Sequence, residues 1–401
     1  MLFYAWGEPI WVFLLVFSGL TDYVHALIVE KYRGSWQSKA ALLSSIVLNL
    51  LILGFFKYSA FFIKNINILF RLHLPYREFA LPIGISFYTF QTMSYVIDVY
   101  RGEVEAQKSP WKLLLYVSLF HQLVAGPIVR YQDIAHDIEH RQLSVRRFSE
   151  GISRFVVGLS KKVLLANTAG EISEMFLKAN IDELPVLGAW FGISLFALQI
   201  YFDFSGYSDM AIGLGRMFGF NYKENFNYPY VARSVSDFWR RWHISLGSFF
   251  RDYVYIPLGG NRRHLLRNLF VVWFLTGLWH GASWNFVLWG LYFGVLIAIE
   301  RMWLLRRLEK WPRFISHVYL LLAVLMGWVL FYYPSLTDVW LFLQAMFAWG
   351  SRPWIDAQLA IQFSNNIFFF LVAIVCATPI AKLLQQITQP TLARAQGWAC
   401  P

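Results

Sequence analysis

Ser236-Asp237-Phe238-Trp239-Arg240-Arg241-Trp242-His243-Ile244-Ser245-Leu246 leads through Phe250-Arg251-Asp252-Tyr253 and Ile256-Pro257-Leu258-Gly259-Gly260 to Thr276-Gly277-Leu278-Trp279-His280-Gly281-Ala282-Ser283-Trp284-Asn285. Two histidines stand among tryptophans, paired charges and glycines, in a chain otherwise apolar enough to live in a bilayer. An imidazole in that setting is costly unless it has a partner or work to do. The rest of the chain reads as the container for this segment.

Of 401 residues, 57% are hydrophobic, 19% aromatic and 15% charged. Soluble domains average about 25% charged residues. Several apolar stretches reach the ~20 residues that span hydrocarbon, so the expected fold class is an all-α polytopic integral membrane protein. The net charge of +11 fits Lys and Arg concentrated in cytoplasmic loops, and no aromatic-basic module of a nucleic-acid binder is present. Cys376 and Cys400 provide neither a disulfide framework nor metal-ligand spacing. The N-terminus lacks a basic region and a small-residue cleavage site, so residues 1–28 read as a retained helix.

Working outward, apolar segments are expected at Pro9–Ile28, Ala40–Ile63 and Leu81–Tyr100, the last opening at Pro82. Leu113–Val129 is short, holds His121, Gly126 and Pro127, and has basic loops at both ends, which predicts a re-entrant or broken helix. Arg141, Arg146, Arg147, Arg154, Lys161 and Lys162 mark 139–162 as cytoplasm-facing. Residues 152–176 then cross, and Val186–Phe218 return. Leu265–Ile299, with basic clusters on both sides, reads as a hairpin of two helices broken near Gly281. Ile315–Tyr333 and Ile361–Leu384 complete one integral membrane domain, residues 1–401, of about nine to eleven helices.

Within the returning helix, Gln199, Asp203 and Tyr207 recur at i, i+4 and share a face. A central carboxylate costs about 2.5–3.5 kcal/mol even on the lenient insertion scale, so Asp203, with Asp209 nearby, should face a partner or a wet path. His280 lies at a break bracketed by Gly277 and Gly281, where backbone approaches closely. Trp279 and Trp284 flank it as candidate walls of a narrow tunnel, with Asn285 beside them. Imidazole is the side chain matched to proton transfer near neutral pH. His243 either joins an interfacial network with Arg240 and Asp237, or orients substrate or supports His280. Arg240 and Arg241 either bind an anionic donor by bidentate contact or mark the cytoplasmic face. A metal shared by Asp203, His243 and His280 would need three ligands from distant segments, and no metal or tightly bound cofactor is expected. The Gly-x-Ser-x-Gly elbow, the phosphate-binding Gly-x-x-x-x-Gly-Lys loop and the His-Glu-x-x-His zinc helix are all missing.

Taken together, Leu81-Pro82-Ile83-Gly84-Ile85-Ser86-Phe87 with Tyr95–Tyr100, Gln122-Leu123-Val124-Ala125-Gly126-Pro127-Ile128, Asp203-Phe204-Ser205-Gly206-Tyr207-Ser208-Asp209, Phe238–Leu246, Arg251–Gly260 and Gly277-Leu278-Trp279-His280-Gly281 resemble the membrane-bound O-acyltransferases. The likeness is to their bacterial branch of alginate O-acetylation, D-alanine export and peptidoglycan O-acetylation proteins. It runs in family order over roughly residues 1–335, with a catalytic core at about 81–300. It implies a ring of tilted and re-entrant helices around a thin core with a tunnel. His280 takes the place of the family's catalytic histidine and His243 that of its second functional histidine. The implied activity is transfer of an acyl group, such as acetyl, from a cytoplasmic thioester such as acetyl-CoA to an external hydroxyl. The hydroxyl would belong to a cell-envelope polysaccharide or to an extracytoplasmic partner protein, at a bacterial cytoplasmic membrane. The family usually begins with a further helix before the stretch matching Met1–Pro9, and more often has proline where this chain has His121. The competing readings are a transporter or channel, which intramembrane carboxylates and broken helices would suit, and a scaffold for an extracytoplasmic enzyme, for which His280 would be dispensable.

Overall fold

The computed structural model describes residues 1–123, 126–348, 350, 352–380 and 382–383. Cys400, Val124 and Ala125 of the 122–128 motif, and the expected segment end at Leu384 lie outside these residues. Among the described residues there is no strand. The helices are α1 (Leu2–Gly7), α2 (Val12–Lys31), α3 (Trp36–Phe70), α4 (Ile85–Arg101), α5 (Pro110–Val117), α6 (Phe120–Leu123), α7 (Tyr131–Glu139), α8 (Val145–Ser160), α9 (Asn167–Leu177) and α10 (Val186–Met217). They continue with α11 (Val235–Arg241), α12 (Ile244–Phe250), α13 (Leu265–His280), α14 (Trp284–Ile299), α15 (Leu305–Leu308), α16 (Arg313–Tyr332), α17 (Leu336–Met346) and α18 (Ala357–Cys376). Wide π-helical turns occupy Lys161–Ala166, Arg251–Tyr255 and Glu300–Leu304.

Among the described residues, six helical stretches are long and apolar enough to cross a membrane: Val12–Lys31, Trp36–Phe70, Val186–Met217, Trp284–Leu308, Arg313–Tyr332 and Ala357–Cys376. The chain is a multi-pass membrane protein. Six is fewer than the about nine to eleven helices expected, because the other apolar stretches form shorter helices or carry more charge. Leu113–Val129 breaks into α5 and α6 around Ser118. The helix expected at 152–176 belongs to a continuous helical run that starts earlier, at Val145, and widens into the π turn at Lys161–Ala166. The expected start at Pro82 moves to Ile85, because Gly84 has φ 76°, outside helical backbone. A Cβ at Gly84 would lie 2.3 Å from the Leu123 carbonyl oxygen.

The chain forms two compact units. One comprises Met1–Leu159, Ser205–Asn225 and His243–Leu291; the other comprises Ser160–Phe204, Phe226–Trp242 and the chain from Tyr292 onward. In the first, α2 packs on α3 and α4, and a buried carboxylate ties them. Asp22 is fully buried and accepts from Ser45 Oγ at 2.6 Å and Asn49 Nδ2 at 2.7 Å. Asn49 Oδ1 accepts in turn from Thr92 Oγ1 of α4 at 3.3 Å. A buried carboxylate without such donors would be strongly unfavourable. Away from these contacts α3 exposes Leu43, Val47, Leu51, Phe55 and Phe62, residues suited to acyl chains.

The 265–299 hairpin forms as expected, with its break at 281–283. Two glycines let its helices approach. A Cβ on Gly277 would meet the Phe286 carbonyl oxygen at 2.4 Å, and one on Gly290 would meet the Trp273 carbonyl oxygen at 2.3 Å. This is the small-residue contact by which helices pack closely in lipid.

In the second unit, fully buried Glu300 accepts from the backbone N–H of Val235 at 2.6 Å and Ser236 at 2.7 Å, and from Tyr319 Oη at 3.2 Å. It thereby satisfies the start of α11, which carries Arg240 and Arg241. Tyr230 Oη donates to the Ala197 carbonyl at 2.6 Å and accepts from Trp328 Nε1 at 3.1 Å.

Gly290→Ala is expected to destabilise the protein by about 1–3 kcal/mol through overpacking against backbone that does not yield. Gly54→Ala in α3, where a Cβ meets nothing within 4 Å, should be neutral or stabilising by up to about 1 kcal/mol. Thermal unfolding of the two variants in one detergent checks both.

Candidate active site

The first unit brings the rings of both His243 and His280 against one indole, that of Trp279. His243 and Trp279 have ring centroids 5.8 Å apart, and Trp279 and His280 are 5.0 Å apart, near perpendicular. Below them Phe90 of α4 stacks on Phe249 of α12 at 4.1 Å, and Phe87 meets the Trp279 ring at 5.6 Å. Trp289 stands edge-on to His280 at 4.7 Å and Phe286 lies at 6.4 Å. The imidazole is thus held among rings at the end of α13, partly accessible.

His243 is buried and has φ 46°, a left-handed conformation that costs a non-glycine residue energy and commonly marks a functional constraint. It directly precedes α12, and hydrogen bonds to Asn225 hold the turn. Ile244 N–H donates to the Asn225 carbonyl at 2.9 Å. Ser245 N–H and Ser245 Oγ donate to Asn225 Oδ1 at 3.1 and 2.9 Å. A backbone N–H only donates, so the amide atom facing it is the oxygen. His243 Nδ1, 3.2 Å from the same oxygen, is therefore the protonated nitrogen, and Nε2 keeps the lone pair. Ser245 Oγ receives the Ile128 N–H at 2.9 Å, and Asn225 Nδ2 donates to Ser208 Oγ at 3.1 Å. Ser245 Oγ also lies 3.3 Å from His243 Nδ1, which closes the node around Asn225.

Beside this node, Arg154 of α8 binds Asp209 through Nε at 2.9 Å and Nη2 at 2.6 Å, and reaches Glu224 at 2.6 Å. Ser208 and Glu224 are the chain neighbours of Asp209 and Asn225, so this ion pair braces the node.

The other expected residues divide between the units. Tyr207 packs its ring beside Gly126, whose φ is 101°. Asn285 is buried and accepts from Ser283 Oγ. Trp284 is 53% exposed and is held by α3, its Nε1 donating to Asn65 Oδ1 at 2.8 Å and its ring 5.7 Å from Phe61. In the second unit, Asp203 pairs with Lys162 at 2.5 Å. Arg241 pairs with Asp237 at 3.1 Å, and Arg240 is exposed. His121, buried in the first unit, bonds to Tyr222 Oη through Nδ1 at 2.8 Å. Among the described residues no three His, Cys, Asp or Glu side chains group as metal ligands.

The family described as MBOAT, membrane-bound O-acyltransferase family, matches residues 107–343. The probable alginate O-acetylase AlgI of Pseudomonas aeruginosa is 41% identical over 361 residues, covering 87% of this chain and 68% of its own length. The chain belongs to the membrane-bound O-acyltransferase family. A peptidoglycan O-acetyltransferase of Helicobacter pylori is 36% identical over 332 residues, 75% of this chain and 63% of its own. A teichoic acid D-alanyltransferase of Bacillus subtilis is 28% identical over 255 residues, 60% of this chain and 63% of its own. The chain is an O-acyltransferase, and both histidines singled out by sequence fall within the matched region.

Sequence reasoning did not single out two residues that bond to the segments carrying these histidines. Asn225 sits in the unremarkable run Lys223-Glu224-Asn225-Phe226-Asn227, and its partners are 17 to 20 residues away. Lys57 lay in view as a cation inside a long apolar helix, a pattern that marks function by default.

Asn225→Leu leaves buried donors without an acceptor, which costs about 1–3 kcal/mol per group, and frees His243 to take the other tautomer. The variant should unfold at lower temperature in detergent. Its turnover should fall at least tenfold, the direction expected when a histidine loses the partner fixing its tautomer. Normal turnover would remove Asn225 from the site.

Proposed function

We propose that the protein moves an acetyl or similar acyl group from a cytoplasmic thioester to a hydroxyl outside a bacterial cytoplasmic membrane. The acceptor is a cell-envelope polysaccharide or a partner protein that completes its modification. The observation that carries this reading is the pair of imidazoles that both meet the Trp279 ring, in a chain whose relatives include acetyl- and alanyl-transferring proteins.

His280 acts as general base. It takes the proton of the accepting hydroxyl as that oxygen attacks the thioester carbonyl carbon, forming the C–O bond. The tetrahedral adduct collapses with cleavage of the C–S bond, and the sulfur leaves as thiolate. The thiolate recovers the proton from the His280 imidazolium, leaving ester and free thiol. His243, its Nδ1 turned to Asn225 Oδ1, orients the hydroxyl by accepting a hydrogen bond at Nε2. Close enclosure by Trp279, Trp289 and Phe286 favours the reaction by keeping competing water few. Acetyl-CoA is the donor we favour. Arg240 and Arg241 are candidates for its phosphates because guanidinium binds them bidentately, with Asp203, Tyr207, Asp209, Trp284 and Asn285 as candidates along the substrate path.

The test is transfer of radiolabelled acetyl from acetyl-CoA to envelope material in membranes bearing wild type or His280→Ala at equal protein levels. Loss of a general base should slow transfer by roughly 10²–10⁴-fold. Undiminished label with His280→Ala would overturn the residue's role. No label with wild type, when a labelled thioester of another acyl group does label, would overturn the choice of donor.

A further inference from the structure

We propose that Lys57 and Tyr58 of α3 are positioning residues that cap the end of α13 from a neighbouring helix and thereby fix where His280 stands. The last four carbonyls of any helix have no partner within it. In α13 these belong to residues 277–280, and the chain then turns away at Gly281. Gly277 O is reached by the Gly281 N–H at 3.4 Å. Leu278 O accepts from Tyr58 Oη at 2.7 Å, and Trp279 O accepts from Lys57 Nζ. Two consecutive residues of α3 thus satisfy two consecutive carbonyls on the turn that carries His280.

The contact continues along α3. Phe61 meets the Trp284 ring and Asn65 accepts from its indole N–H, so positions 57, 58, 61 and 65 grip both sides of the break. The Lys57 ammonium also donates to Ser86 Oγ of α4 at 3.0 Å and lies 5.6 Å from the Trp279 ring centroid. A cation at a helix C-terminus opposes the negative end of its dipole, and a lysine within an apolar helix needs such partners to be tolerated. Neither side chain is argued to touch substrate; both act through the backbone that presents His280.

The catalytic half of this assignment rests on the acyl-transfer reading, whereas the capping half is tested without activity. Hydrogen–deuterium exchange of the full chain in detergent should show faster exchange for peptides spanning 274–287 in Lys57→Met and in Tyr58→Phe than in wild type, with peptides of α16 and α18 unchanged. Because misplacement of a reacting group by about 1 Å costs on the order of 10²-fold, Lys57→Met should lower kcat by roughly 10–100-fold. KM for the thioester should stay within about twofold, the pattern for an interaction felt only in the transition state. Lys57→Arg, which keeps a cationic donor on a long stem, should recover most of kcat. Tyr58→Phe removes a single hydroxyl and carries the same local prediction if Lys57→Met fails to fold. Unchanged exchange at 274–287 in the variants that fold would overturn the capping role whatever the activity. Faster local exchange with unchanged kcat would overturn the positioning role. Failure of the acyl-transfer reading would instead show as an inactive wild type with the exchange differences intact.

Discussion

A helix that stops among apolar side chains must find partners for carbonyls that water would otherwise satisfy. The end of α13 meets that requirement with a phenol and an ammonium from α3, and the rest of the site follows from it. The break at 281–283 allows α14 to start again at Trp284 and fold back on α13. The return brings Trp289 and Phe286 to the same imidazole that α13 presents. One constraint, satisfaction of backbone polarity in a dry setting, thus sets the direction of a side chain.

His243 is positioned by a different device. Its left-handed backbone places the ring ahead of α12, and a single amide oxygen gathers donors from His243 and Ser245. Rigid hydrogen bonding in a buried node is strong when every group is satisfied and costly when one is not. The Arg154–Asp209 pair extends the bracing with charge-assisted bonds, which are the stronger kind. One histidine is held through its neighbours' backbone and the other through its own ring nitrogen.

The hairpin of 265–299 and the break near Gly281 were legible in the sequence, because glycines and a local change of composition mark them, and the same stretch singled out the two histidines that the fold brings to one indole. The start of α4 was not. Pro82 is a good helix opener, but Gly84 must pass close to the Leu123 carbonyl, a contact 39 residues distant that no local pattern announces. The helix expected at 152–176 forms but begins earlier, at Val145, and apolar content alone does not reveal where it widens into a π turn. Lys57 was visible as an anomaly, yet its acceptor lies 222 residues along the chain, so its task could be read only in three dimensions. Asn225 gave no anomaly at all, since a polar residue in a polar loop is ordinary until burial shows otherwise.

The crossing of Gly277 and Gly290 works as a register key. Backbone meets backbone there, and the residues on either side of Gly290, Trp289 and Leu291, are far too large for that gap. α14 therefore has one permitted sliding position against α13. The connector at 281–283 inherits a fixed span, and an insertion in it must loop outward rather than shift the hairpin. Evolution could then vary the lipid-facing surface of both helices freely while the depth of the imidazole stayed constant.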